Sequence, residues 1–146
     1  MTVMAFTDLP QNARHLPLTD PRLAGDVIDL ILSLEDRANG ALGLMLCDEH
    51  HRGLQPIVLN DVPDTGEIVD GLTKLLEVVL PLVLEGEGSV LIGRGRPHGS
   101  RPDDVDRACH QRAMELCAAH GVRLLGFHVA TLEGVFAMPD PLAAAS

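Results

Sequence analysis

Residues 89–93 read Ser-Val-Leu-Ile-Gly, a short strand apolar on both faces with glycines at either end. Such a strand must be covered above and below, so it belongs in the centre of a sheet. The flanking segments supply the partners. Asp20 followed by Pro21 has the form of an N-cap and a first helical position. Leu23, Val27, Leu30, Ile31, Leu34 and Ala38 then recur at helical spacing, with Arg22, Asp26, Asp29, Ser33 and Arg37 off the stripe, which predicts a helix over 21–37 that Asn39 and Gly40 stop. Leu42, Leu44 and Leu46 alternate, and a polar loop, Asp48 to Gly53, leads into Gln55 to Asn60, which predicts a β-hairpin. From Gly66, the residues Ile68, Val69, Leu72, Leu75, Leu76 and Val79 describe a second helix that Pro81 should end or kink.

A Gly/Pro-rich loop, residues 94–102, precedes a third helix over about 101–120, with Ser100 and Asp103 in the capping pattern and Gly121 as C-terminal cap. Two strands follow, Val122 to Thr131 and Val135 to Met138. Helices and strands mixed throughout predict an α/β domain of two or three layers. Its expected extent is 19–138, between a loose arm over 1–18 and a frayed tail over 139–146.

A chain of 146 residues is one domain by size and can bury roughly 70% of its unfolded surface. Aromatics make up only 2% of it, three Phe with no Trp or Tyr, so the core is aliphatic and base-stacking platforms are excluded. The formal charge of −10 has the wrong sign for coating phosphate backbones, so no nucleic-acid partner is expected. The first ten residues lack the basic and apolar runs of a secretory signal. The longest apolar stretch, Val78 to Leu84, falls far short of the ~20 residues of a membrane span. A cytoplasmic protein without a membrane partner is the expectation. Cys109 and Cys117 lie about 12 Å apart along one helix, beyond disulfide reach, so with Cys47 they read as buried thiols of a reducing compartment.

One stretch is specific enough to carry chemistry. The apolar strand ends in Arg94-x-Arg96-Pro97, a Gly/Pro loop follows, Asp103-Asp104-Val105-Asp106 opens a helix, and Gly121-Val122-Arg123-Leu124-Leu125 begins the next strand. This order resembles the JAB/MPN family, in particular its RadC-like bacterial branch, over about residues 39–138. The family pattern is a strand ending in His-x-His-Pro, then Ser-x-x-Asp at a helix start, then a Gly-Ile/Val-x-Leu-Leu strand. The resemblance implies a cytidine-deaminase-like fold, a mixed sheet sandwiched by helices. In working members two histidines and an aspartate hold zinc, and a glutamate handles the proton of the zinc-bound water. Here Arg94 and Arg96 fall on the histidines, Asp103 on the serine, Asp106 on the aspartate and Gly40 near the glutamate, while the loop is one residue short. The ligand set and the general base are both missing, and the resemblance implies a pseudoenzyme without a cofactor.

Elementary chemistry agrees. A guanidinium has no lone pair to give a metal, and a like charge 4 Å away costs about 4 kcal/mol at an effective dielectric of 20. Two other tasks remain for the arginines. With Arg101 and the free N–H groups of the helix start, Arg94 and Arg96 form a candidate pocket for a small anion or a partner's carboxylate, with Asp106 at its side. The plainer structural reading pairs Asp103, Asp104 and Asp106 with Arg94, Arg96, Arg101 and Arg107 in a partly exposed network. An alternative metal site would join His98, Asp106 and His110, the last two one helical turn apart, and would make the chain a metal-dependent hydrolase with an altered site. Ser100 is better explained as a cap, and Ser89 lacks a Gly-x-Ser-x-Gly setting. His120 suits a helix C-terminus. His128, inside an apolar strand, is read as a satisfied buried or edge histidine. The favoured function is a binding or scaffolding module for a protein partner or a second copy of itself.

Overall fold

All seven residues from Ser89 to Gly95 are buried, as a strand walled on both faces requires. The computed structural model describes residues 2–3, 16–63 and 65–139. In chain order the elements are β1 (Thr2–Val3), α1 (Pro21–Ile31), α2 (Leu34–Asn39), β2 (Ala41–Cys47), β3 (Gly53–Asn60), α3 (Glu67–Glu85), β4 (Ser89–Gly95), α4 (Asp104–His120), β5 (Arg123–Thr131) and β6 (Gly134–Ala137). They build a mixed sheet of order β1-β3-β2-β4-β5-β6. β4 lies antiparallel to β2 and parallel to β5, and the remaining neighbours are antiparallel. The α/β reading and the central place of residues 89–93 are therefore shown. In the arm, Thr2 and Val3 pair with Val58 and Ile57 as an edge strand, and Leu18 is fully buried. Residues 1 and 4–15 of the arm and 140–146 of the tail lie outside the described residues.

Alternation along the strands sends side chains to two cores. Leu42, Leu44, Val90, Ile92, Phe127 and Val129 meet Leu72, Leu76 and Leu80 of α3 and Cys109, Ala113 and Cys117 of α4. Met45, Leu91 and Ala130 face the other way, onto Val27, Ile28 and Ile31 of α1. The layers are helix, sheet, helix. Gly43 and Gly93 are paired across β2 and β4, and a Cβ on Gly93 would come within 2.9 Å of Ile28, so this glycine pair is what lets α1 sit close on the sheet.

Three helices depart from expectation. The helix expected over 21–37 breaks at Leu32 and Ser33, because Ser33 accepts from the Asp36 amide and Asp36 from the Ser33 amide in a capping box that starts a new helix. The break changes the phase of the stripe: Leu34 is 64% exposed, whereas Arg37, expected on the outside, is 4% exposed. Of the two outcomes expected at Pro81, an end or a kink, the first does not occur: α3 runs on to Glu85. Its buried face, Ile68, Leu72, Leu76, Val79, Leu80 and Val83, continues past the proline, and this packing outweighs the ~3 kcal/mol an interior proline costs. α4 is capped by Asp103, with Gly121 at φ 70° closing it; Ser100 is exposed and precedes the true cap by three residues.

Candidate functional site

Arg94 stands at the end of β4 and Arg96 just beyond it. Two positions apart on extended backbone, their side chains leave the sheet on one face, towards the first turn of α4. There Asp103 and Asp106 form a second capping box: the Asp106 amide donates to Asp103 Oδ1 at 2.7 Å and the Asp103 amide to Asp106 Oδ2 at 2.9 Å. The guanidinium groups close on these same carboxylates. Arg94 Nη1 donates to Asp106 Oδ1 at 2.5 Å and to Asp103 Oδ1 at 3.1 Å. Arg96 grips Asp106 with a fork, Nε to Oδ1 at 3.1 Å and Nη2 to Oδ2 at 2.7 Å, the bidentate geometry in which arginine is strongest. Asp106 and Arg94 are fully buried and Arg96 is 6% exposed. Two cations and two carboxylates sum to zero charge, which lowers the cost of burying Arg94, Arg96 and Asp106, while Asp103 stays half-exposed at the edge of the cluster.

Arg96 also shapes the loop. Its Nη2 donates to the Arg101 carbonyl at 2.8 Å and its Nη1 to the His98 carbonyl. Gly99, at φ 116°, lies directly against the guanidinium, and a Cβ there would sit 2.7 Å from Nη1. Partial burial works to raise the Asp103 carboxyl, but the Asp106 amide and the two guanidinium groups outweigh it and hold Asp103 below the ordinary carboxylate range.

The sequence-predicted residues divide accordingly. Arg94, Arg96, Asp103 and Asp106 are brought together; the first two and Asp106 are buried where a partly exposed network was expected, while Asp103 keeps 42% of its side chain exposed. Arg101 is exposed and joins through its carbonyl oxygen alone among the contacts described. Arg107 pairs with Asp104 on the surface at 2.9 Å. The alternative set does not assemble: His98 is exposed and faces Glu133 at 3.3 Å, His110 stacks at 5.4 Å on Phe127, and no group of three or more His, Cys, Asp or Glu among the described residues could hold a metal ion. Nor do the residues at the Arg–Asp cluster fit a zinc ion, since both Asp106 oxygens are engaged by the arginines and a guanidinium has no lone pair to give. Gly40, near the expected glutamate, has φ 88°, and a Cβ there would overlap the Val62 carbonyl oxygen; the backbone itself excludes a side chain.

Sequence reasoning missed Arg37 and misjudged His128. Arg37 Nε donates to the Leu32 carbonyl at 2.8 Å, Nη1 to the Thr131 carbonyl at 3.1 Å, and Nη2 to the Asp29 carbonyl and carboxylate at 2.8 and 2.7 Å, tying the end of α1 to the end of β5. The Ser33-x-x-Asp36 pattern was the signal that could have placed it. His128 is 4% exposed, and neither ring nitrogen makes a hydrogen bond of ordinary geometry among the described residues. The three cysteines are buried and free, as expected.

No family model, curated protein or solved structure matches the chain. Among the described residues, no helix is long and apolar enough to cross a membrane.

Proposed function

We propose that the chain is a non-catalytic JAB/MPN-like domain of cytidine-deaminase-like fold, working in the cytoplasm as a binding or scaffolding module for a protein partner or a second copy. The observation that carries this reading is the engagement of both Asp106 oxygens by Arg94 and Arg96. At the position where working relatives bind a divalent cation, two guanidinium groups supply the same formal charge. They cannot polarise a carbonyl or activate water as a metal does, but they hold β4, the loop and α4 in place. A small anion would have to compete with both carboxylates for the arginines, so the binding surface belongs elsewhere. Val78 and Leu82, at 68% and 61% exposure on the outer side of α3, offer apolar contact area of the kind interfaces use.

The test is affinity capture from native cytosol together with light scattering over a range of concentrations, on the wild type and on a Val78→Glu/Leu82→Glu variant. The expected result is a defined complex or self-association that the variant loses. A strict monomer that captures nothing, or peptidase turnover abolished by chelation, would overturn the proposal.

A further inference from the structure

β6 covers only part of β5. It pairs with His128 to Thr131, and the Met138 amide donates to the Phe127 carbonyl at 2.8 Å. Along Arg123 to Gly126, β5 has no strand on its outer edge among the described residues. A cavity of about 390 Å³ opens there, lined chiefly by Met114, Leu124, Leu125, Phe127 and Met138, with two histidines, His110 and His128, on its wall. A second cavity of about 340 Å³ adjoins it, sharing Pro21, His128 and Ala137 and reaching Gly25 and Asp26 of α1. Each is within the size range of small-molecule sites.

His128 stands between the two. A neutral imidazole offers one donor and one acceptor, and buried polar atoms are ordinarily paired; here neither nitrogen makes a hydrogen bond of ordinary geometry among the described residues, the Pro21 backbone giving the ring only a looser contact. Glycines pack close to the ring, Gly25 towards one edge and Gly126 towards the other. A Cβ on Gly25 would lie 3.7 and 3.8 Å from Cδ2 and Nε2, and one on Gly126 would lie 3.3 and 3.7 Å from Cε1 and Nδ1. Larger side chains at either position would fill this space. Burial lowers the pKa of the ring below the usual imidazole value, with the Pro21 backbone drawing it partly back, so the neutral form prevails.

We propose that the double cavity binds a small uncharged amphiphile, its apolar body along Leu124 to Phe127 and a hydroxyl or amide group hydrogen-bonded to His128. The lining favours no net charge. Arg22 offsets Asp26 at the second cavity, and Asp29, which also borders it, is already paired with Arg37 at 2.7 Å. A charged ligand would lose its hydration to an apolar wall without gaining a counter-ion. This site involves neither the Arg–Asp cluster nor the reading of the chain as a scaffolding module.

The experiment titrates the full chain with three probes, 4-butylphenol, butylbenzene and 4-butylbenzoate, following the ring ¹⁵N resonances of His128 and the melting temperature. 4-Butylphenol is expected to move both His128 nitrogens and raise the melting temperature. Butylbenzene, lacking the hydroxyl, should bind about tenfold more weakly, as loss of one hydrogen bond implies, and 4-butylbenzoate weaker still. In His128→Phe the preference for the phenol over butylbenzene should vanish. Unmoved His128 nitrogens at the solubility limit of all three probes, equal affinity for phenol and butylbenzene in the wild type, or tighter binding of the benzoate would each overturn the proposal.

Discussion

At Asp106 three demands meet: it is the third residue of α4, the acceptor for the Asp103 amide, and the counter-ion of two buried guanidinium groups. Removing it leaves two buried cations to share the half-exposed Asp103. Asp106→Ala should therefore cost about 3–5 kcal/mol in urea unfolding, the usual penalty for breaking a buried pair. Replacing the three buried members with apolar residues of similar size, Arg94→Met/Arg96→Met/Asp106→Leu, should cost far less than the single change, because no uncompensated charge remains in the core and Asp103, left without its partners, is half-exposed to water. A triple variant as unstable as Asp106→Ala would mean that the cluster positions the loop in a way packing cannot replace. Asp103 adds a pH dependence. Its folded pKa lies below the unfolded carboxylate value, so its contribution to stability is complete above that value and is lost as pH falls through the folded one. Asp103→Asn should flatten the acid limb of the stability profile, a difference read from unfolding midpoints between neutral and strongly acidic buffer.

Among the elements, the join of α1 and α2 shows why a periodic stripe misleads. The apolar spacing continues through Ser33, but the capping box there satisfies amides that a continuous helix would not need to pair. The new helix turns Arg37 inward. Its guanidinium takes up the Leu32 and Asp29 carbonyls at the C-terminal end of α1, where a cation is favoured by the helix dipole. Ser33→Ala should cost about 1 kcal/mol, as lost caps do. Arg37→Lys should cost more than Ser33→Ala, since a single ammonium cannot reproduce the fork to three separate carbonyls; the reverse order in denaturant midpoints would remove the clamp from the account. The same pattern misplaced the start of α4. Ser100-x-x-Asp103 and Asp103-x-x-Asp106 both fit a capping box, and only the second puts Asp106 within reach of the arginines, a tertiary condition that local sequence does not carry.

For the whole molecule, the order of elements and the central strand were legible because they depend on local periodicity and on which strand is apolar on both faces. That Arg94, Arg96 and Asp106 belong together was legible from spacing; that they are buried with both Asp106 oxygens taken up by the arginines was not, since it depends on how α4 lies across the end of β4. The open edge beside His128 was illegible for a similar reason: it follows from where β6 stops pairing. The sheet shared by both cores predicts how the molecule comes apart. Cys47 belongs to the core under α1, whereas Cys109 and Cys117 belong to the core under α3 and α4. Burial pushes the Cys47 thiol up to about 12, with Asp48 adding to the effect against a Ser89 hydrogen bond, and the Cys117 thiol up to about 11. Neither is a thiolate at neutral pH, so a thiol reagent should leave both unmodified in the native protein and react only after opening. Because β2, β4 and β5 each contribute side chains to both cores, loss of one core exposes the back of the other. Cys47 and Cys117 should thus become reactive at the same urea concentration, followed by mass spectrometry of the labelled peptides. Labelling of Cys47 at distinctly lower urea would instead mean that α1 lifts from the sheet while the α3 and α4 side stays folded.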